Sequence, residues 1–223
     1  MKRGGLIFWL AVLLVAMLFY GSWVAWRQYG RASDSQAVAS DGQSEWKATN
    51  LPPGKPTPDF VLTDQDGHEF HSGLLQGKVW VASFFFASCP GPCYRLNQAL
   101  AGLQAESDFK DVRFVSITCD PADDTPEVMK EYAARFGANP KQWTFLTGDF
   151  KKIQDISMSK FVLEIGERTH SELAVALDKN STVRGYFHLT DDEDVNQIRI
   201  RLRALLAEPE RKITNDEARM SKE

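Results

Sequence analysis

Nine residues, Lys78 to Phe86 (KVWVASFFF), constrain the fold of this 223-residue chain more than any others. After Lys78 the run is almost wholly apolar, and Gly77 and Cys89-Pro90 bound it. A strand with one solvated face alternates apolar and polar residues. A continuous apolar run reads instead as a strand covered on both faces. Such a strand needs helices on either side, which is an α/β arrangement.

The rest of the chain supplies them. Val112–Thr118 (VRFVSIT) reads as a second buried strand and Trp143–Leu146 as a short third. From Gly91 to about Glu106, Leu96, Leu100 and Leu103 fall at i, i+4 and i+7 and predict a helix. Thr125-Pro126 opens another helix to about Phe136, with Thr as N-cap and Pro at the first helical position. Asp123-Asp124 reads as further capping of that helix. Asp149 to about Phe161 predicts a third helix. Leu173–Leu177 and Val183–Phe187 flank Asp178-Lys179-Asn180 as a hairpin. Thr190–Ala207 predicts the last helix, with Thr190 and Glu193 at capping-box spacing. Asp59–His71 predicts an early hairpin turning at Asp66-Gly67. The order β-hairpin, βαβαβα, ββα predicts a thioredoxin-like fold: a mixed central sheet flanked by helices, with an N-terminal β-hairpin extension.

Outside this domain the composition shifts. No charged side chain occurs from Gly4 to Trp26. At about 1.5 Å per helical residue that run reaches about 34 Å, enough for a hydrocarbon core of about 30 Å. It is longer than an ordinary signal-peptide core and ends in Trp23 and Trp26 without a small-x-small cleavage site. Residues 1–27 therefore read as an uncleaved transmembrane anchor, 28–57 as a flexible linker, 58–207 as the folded domain and 208–223 as a solvated tail. The chain has 26 basic and 30 acidic residues; Lys2 and Arg3 precede the anchor, leaving 24 and 30 beyond it, a net of −6. An acidic domain excludes nucleic-acid binding through a broad basic face.

Three cysteines are too few for a disulfide scaffold or a four-cysteine zinc site. Two of them frame Cys89-Pro90-Gly91-Pro92-Cys93, at the junction of the buried strand and the next helix. If Pro92 starts that helix, Cys93 lies in its first turn, and the positive end of the helix dipole favours thiolates there. The pair reads either as a disulfide exchanger or as two soft ligands of a Cu(I) site. A metal site needs a further ligand, for which an imidazole is natural. His68 and His71 read as surface residues of the early hairpin, and His188 as part of the turn into the last helix. His170 lies in the loop before Leu173–Leu177. In a thioredoxin-like fold that loop faces the cysteine loop.

The sequence also resembles the SCO/SenC family of copper chaperones for cytochrome c oxidase assembly. The matching pieces are PDFVLTDQDG at 58–67, CPGPC at 89–93, DPADDTPEVMKEYAARF at 120–136, WTFLTG at 143–148, and His170-Ser171. The resemblance implies that Cys89, Cys93 and His170 bind one copper, as Cu(I) or, with an added oxygen, Cu(II). It implies that Asp120 lies close by and hydrogen-bonds within the site. It implies delivery of copper to the binuclear centre of oxidase subunit II, or alternatively thiol–disulfide exchange with exported or oxidase-subunit cysteines. The chaperone reading is not enzymatic. Another copper donor or a thiol reductant would then be a partner. The expected location is the bacterial inner membrane with the domain in the periplasm, the alternative being the mitochondrial inner membrane facing the intermembrane space. Two residues depart from the family: Tyr94, where a proline is common, and Cys119. Cys119 shares a strand face with Val115 and Ile117, opposite Asp120, and reads as a buried free thiol rather than a resolving cysteine.

Overall fold

A computed structural model describes residues 59–169 and 172–209, together with Met17 and Tyr20, both helical. The chain divides into two units, Met1–Lys47 and Ala48–Glu223. Apart from Met17 and Tyr20, the anchor and linker readings fall outside the described residues, as do His170 and the tail beyond residue 209. Among the described residues no helix is long and apolar enough to cross a membrane.

The early hairpin forms as expected. Strands β1 (Val61–Asp64) and β2 (Glu69–His71) pair in register Leu62↔Phe70. Asp64 holds the turn, its Oδ1 accepting the N–H of Asp66 and of His68, both at 2.9 Å. Gly67 takes φ +82°, a value that favours glycine. The central strands follow: β3 (Trp80–Phe85), β4 (Arg113–Thr118) and β5 (Trp143–Thr147). β3–β4 and β4–β5 are parallel. β6 (Leu173–Leu177) and β7 (Val183–His188) complete a seven-stranded mixed sheet in the order β2-β1-β5-β4-β3-β6-β7.

The continuous apolar run of β3 is buried on both faces. Val79, Val81 and Phe85 join one core with helices α1 (Pro92–Ala105), α2 (Pro126–Arg135) and α4 (Asp192–Ala207). Trp80, Ala82 and Phe84 join the other, under α3 (Phe150–Ile156) and the early hairpin. Thr125 caps α2, its Oγ1 accepting the Val128 N–H at 3.4 Å.

Three local expectations are corrected. The capping box at Thr190 is not used: Asp191 is the N-cap, accepting from the N–H of Glu193 and of Asp194. A carboxylate is a stronger acceptor than a hydroxyl for the positive helix end. Asp124 does not cap α2 but turns inward, as described below. The third helix does not run α-helical to Phe161; from Ser157 to Phe161 it widens into a π turn. That turn drives Phe161 edge-on against Trp80 and Phe84, with centroids 6.0 and 5.7 Å away.

The π turn also buries Lys160. Its Nζ has no hydrogen-bond partner and lies 5.0 Å from the Phe60 ring centroid. Burial pushes its pKa down to about 8, against a weaker upward pull from Asp59. Because the folded state releases this proton before the unfolded chain does, the cost of burying the charge is full at neutral pH. It fades between pH about 8 and 10.5. Lys160→Met is expected to raise the unfolding free energy at pH 7, by on the order of 3 kcal/mol at most. Its advantage over wild type should shrink as pH approaches 10.5, which parallel denaturant titrations at the two pH values would measure.

Candidate functional site

The site is assembled where β3 and β4 end side by side. Phe85 pairs with Thr118, so the loops leaving both strands begin together. Asp124 joins them. Its carboxylate accepts the Ala87 N–H at 3.1–3.2 Å and a short bond from Thr118 Oγ1. Burial raises the Asp124 pKa, partly opposed by these two bonds. The Cys89 N–H then donates to the Phe86 carbonyl at 3.1 Å, and α1 begins at Pro92.

Cys93 lies in the first turn of α1, but its sulfur is not at the surface. Cys93 is fully buried in the core beneath α1, whereas Cys89 is half-buried. The Cys93 N–H, which has no acceptor within the helix, donates to Cys89 Sγ at 3.4 Å. Burial pushes the Cys93 thiol far up, and its hydrogen bond to Cys89 adds to the shift. The expectation that the helix dipole holds both sulfurs as thiolates therefore fails for Cys93. Desolvation outweighs the dipole once the sulfur is inside the core.

A polar pair packs near the cysteines in the same core. Asn97, one turn after Cys93, donates through Nδ2 to the Tyr132 hydroxyl at 3.0 Å, and Tyr132 stacks on Phe85 with centroids 5.1 Å apart. Burial raises the Tyr132 pKa, and the two nearby cysteines push in the same direction. The sequence reading passed over both residues. The available signal was Asn97 itself, an amide set within the Leu96–Leu100 stripe.

Cys119 is free and fully buried, in the core that also holds Val115 and Ile117. Its thiol donates to the Phe85 carbonyl at 3.2 Å. Its pKa is pushed up to about 12, first by burial and then by Asp124. Asp120 follows. It is 6% exposed, and its Oδ2 accepts no hydrogen bond. Arg168 Nε lies 3.4 Å from that oxygen as an ion pair. Arg168, a loop residue to which the sequence pattern assigns no role, sits in a tight turn closed by reciprocal Gly166 and Thr169 backbone bonds at 2.9 and 3.0 Å. Its own N–H donates to the Cys119 carbonyl at 3.2 Å.

The structure thus brings Cys89, Cys93 and Asp120 to one end of the sheet. His170 follows Thr169 in the chain but lies outside the described residues. Among the described residues no three His, Cys, Asp or Glu side chains form a group able to hold a metal ion. His68 and His71 are exposed, as expected. His188 serves the turn into α4 through its backbone, accepting from the Asp191 N–H and donating to Asp194 Oδ2.

The family model for SCO1/SenC proteins matches residues 49–205. The chain belongs to the SCO1/SenC family. It is 31% identical to the SCO1 protein homolog of Bacillus subtilis over 105 residues, 46% of this chain and 54% of that protein. The chain thus spans about half the length of this curated relative. Among solved structures, an SCO1/SenC family lipoprotein from Bacillus anthracis is 29% identical with a TM-score of 0.64, covering 69% of this chain and 97% of that one. Arabidopsis thaliana ScoI, solved with copper bound, is 26% identical with a TM-score of 0.52, covering 65% and 99%.

The buried thiols of this SCO1/SenC domain make a direct prediction. The thiolate is the nucleophile, so burial and a raised pKa protect Cys93 and Cys119. Iodoacetamide at pH 8 should modify Cys89 at least about tenfold faster than either of the others in the reduced, folded chain. Peptide mapping by mass spectrometry reads the three rates. Comparable labelling of Cys93 would contradict this geometry.

Proposed function

We propose that the protein is a membrane-anchored copper carrier that supplies the binuclear copper centre of cytochrome c oxidase subunit II. Cys89, Cys93 and His170 are its ligands. The observation that carries the reading is a dithiol at a strand–helix junction, at the same end of the sheet as a buried carboxylate oxygen that accepts no hydrogen bond. Family membership supports it, as do the copper-bound Arabidopsis structure and the description of Sco proteins as a family of cytochrome c oxidase assembly proteins. Two thiolates and an imidazole form a donor set suited to Cu(I). Asp120 Oδ2 is the kind of acceptor that commonly takes the other N–H of a ligating imidazole and so orients the ring.

Copper is cargo here, so the site must both hold and release it. Cys93 must give up its proton on loading, which makes loading release protons and favours it as pH rises. On delivery an incoming thiolate would displace Cys89 first, because Cys89 is the more accessible sulfur. The uncharged Gly4–Trp26 segment would hold the domain at the bacterial inner membrane, facing the periplasm. The mitochondrial inner membrane is the alternative.

The unequal burial of the cysteines also favours a second activity. A half-buried Cys89 could attack a partner disulfide and form a mixed disulfide. Cys93 would then resolve it, leaving Cys89–Cys93 oxidised and the partner with two thiols. Carrier and reductant would be alternative states of one dithiol.

Anaerobic Cu(I) titration of the reduced full chain in detergent, against a chromophoric chelator, tests the carrier reading. One tightly held Cu(I) per chain is expected. Cys89→Ser and Cys93→Ser should each abolish tight binding. His170→Ala should weaken it by on the order of 100-fold while leaving the dithiol able to reduce a model disulfide. Absence of stoichiometric binding by wild type would refute the carrier reading, and unchanged affinity in His170→Ala would remove the histidine from the ligand set.

A further inference from the structure

We propose that Arg168 is the positioning residue of this site, a clamp that fixes the turn leading to His170 against both the cysteine loop and the acidic turn after β4. The proposal rests on the copper reading and deepens it.

Three segments meet at Arg168. Nη2 donates to Ser88 Oγ at 2.9 Å, next to Cys89. Nε lies 3.4 Å from Asp120 Oδ2, and Nη1 lies 3.5 Å from Asp123 Oδ2. The third segment is its own turn, tied to the end of β4 by the Arg168 N–H to Cys119 carbonyl bond. The Ser88 contact is a directed hydrogen bond and the two carboxylate contacts are ion pairs, so one planar group holds both segments at once.

The backbone argues that the side chain matters. Arg168 takes φ +54°, in the left-handed region that glycine occupies freely and arginine does not. The turn closes through the backbone bonds of Gly166 and Thr169, so closure itself requires no arginine. A glycine would close this turn with less strain, which leaves the side-chain contacts as what arginine adds here. The side chain is 54% exposed, and exposed ion pairs contribute little to folding. The contacts are therefore better explained by geometry than by stability.

The consequence for the ligand set follows from chain length. Consecutive Cα atoms are about 3.8 Å apart, so anchoring Arg168 and Thr169 confines the region His170 can reach. The same contacts hold Asp120 while leaving its Oδ2 without a hydrogen bond, available to one further donor. Releasing the clamp transfers the cost of ordering the turn onto copper binding.

Two variants separate the clamp from the backbone. Arg168→Ala loses the guanidinium and keeps the unfavourable φ. Arg168→Gly loses the guanidinium and relieves the φ, so its thermal stability should equal or exceed that of Arg168→Ala. In the full chain in detergent, both should weaken Cu(I) binding by on the order of tenfold, the low end of what loss of a residue that orients a metal ligand produces. In the metal-free reduced chain, amide hydrogen exchange at Cys89 and Thr169 should accelerate in both. Arg168→Lys, whose single ammonium cannot reach Ser88, Asp120 and Asp123 together as the guanidinium does, should restore little affinity. If Arg168→Gly binds Cu(I) within about twofold of wild type, while His170→Ala shows its expected loss, the clamp is refuted and the copper reading stands. If wild type fails to bind copper, the copper reading fails. The exchange experiment then decides the clamp alone, with unchanged exchange at Cys89 and Thr169 refuting it.

Discussion

The parallel pairing of β3 with β4 is the constraint on which the rest of the site depends. Its register, from Trp80↔Arg113 to Phe85↔Thr118, ends both strands at the same level. Two loops therefore leave the sheet side by side, one carrying Cys89 and the other Asp120 to Asp124. Asp124 ties them through the Ala87 N–H and the Thr118 hydroxyl. The core on each face holds the strands in this register, because a slip of one residue would exchange the Val79–Val81 face with the Trp80–Ala82–Phe84 face.

From that frame the two cysteines acquire different characters. The helix starting at Pro92 carries Cys93 inward, into the core with Leu96 and Leu100, while Cys89 remains in the loop. A buried thiol with a raised pKa and a half-buried sulfur that accepts its neighbour's N–H make an unequal pair. The inequality suits sequential handling of a soft metal ion and suits disulfide exchange, so the dithiol alone does not choose between them. The third segment at this end of the sheet, with Arg168 and Thr169, bears on that choice because His170 follows it directly.

Much of the fold was legible in local pattern. The apolar run of β3, the Thr125-Pro126 start of α2 and the Asp66-Gly67 turn each express a short-range rule, and each forms where expected. The π turn at Ser157 to Phe161 was not legible, because the Phe161 it presents packs against Trp80 and Phe84, residues some 80 positions away. Asp124 looked like a helix cap by position, yet its partners are Ala87 and Thr118, reached only through the sheet.

For the site, the sequence by itself nominated the candidate donors. It identified the Cys89–Cys93 pair at a strand–helix junction, singled out His170, and assigned Cys119 to the face of Val115 and Ile117. Spacing and periodicity suffice for such statements because they concern residues on one element. Only the tertiary structure decided that Cys93 is buried and Cys89 is not, that Asp120 Oδ2 lacks a hydrogen bond, and that Arg168 joins three segments. Desolvation and long-range ion pairing depend on what surrounds a side chain after the chain has closed on itself, and no local pattern encodes those surroundings.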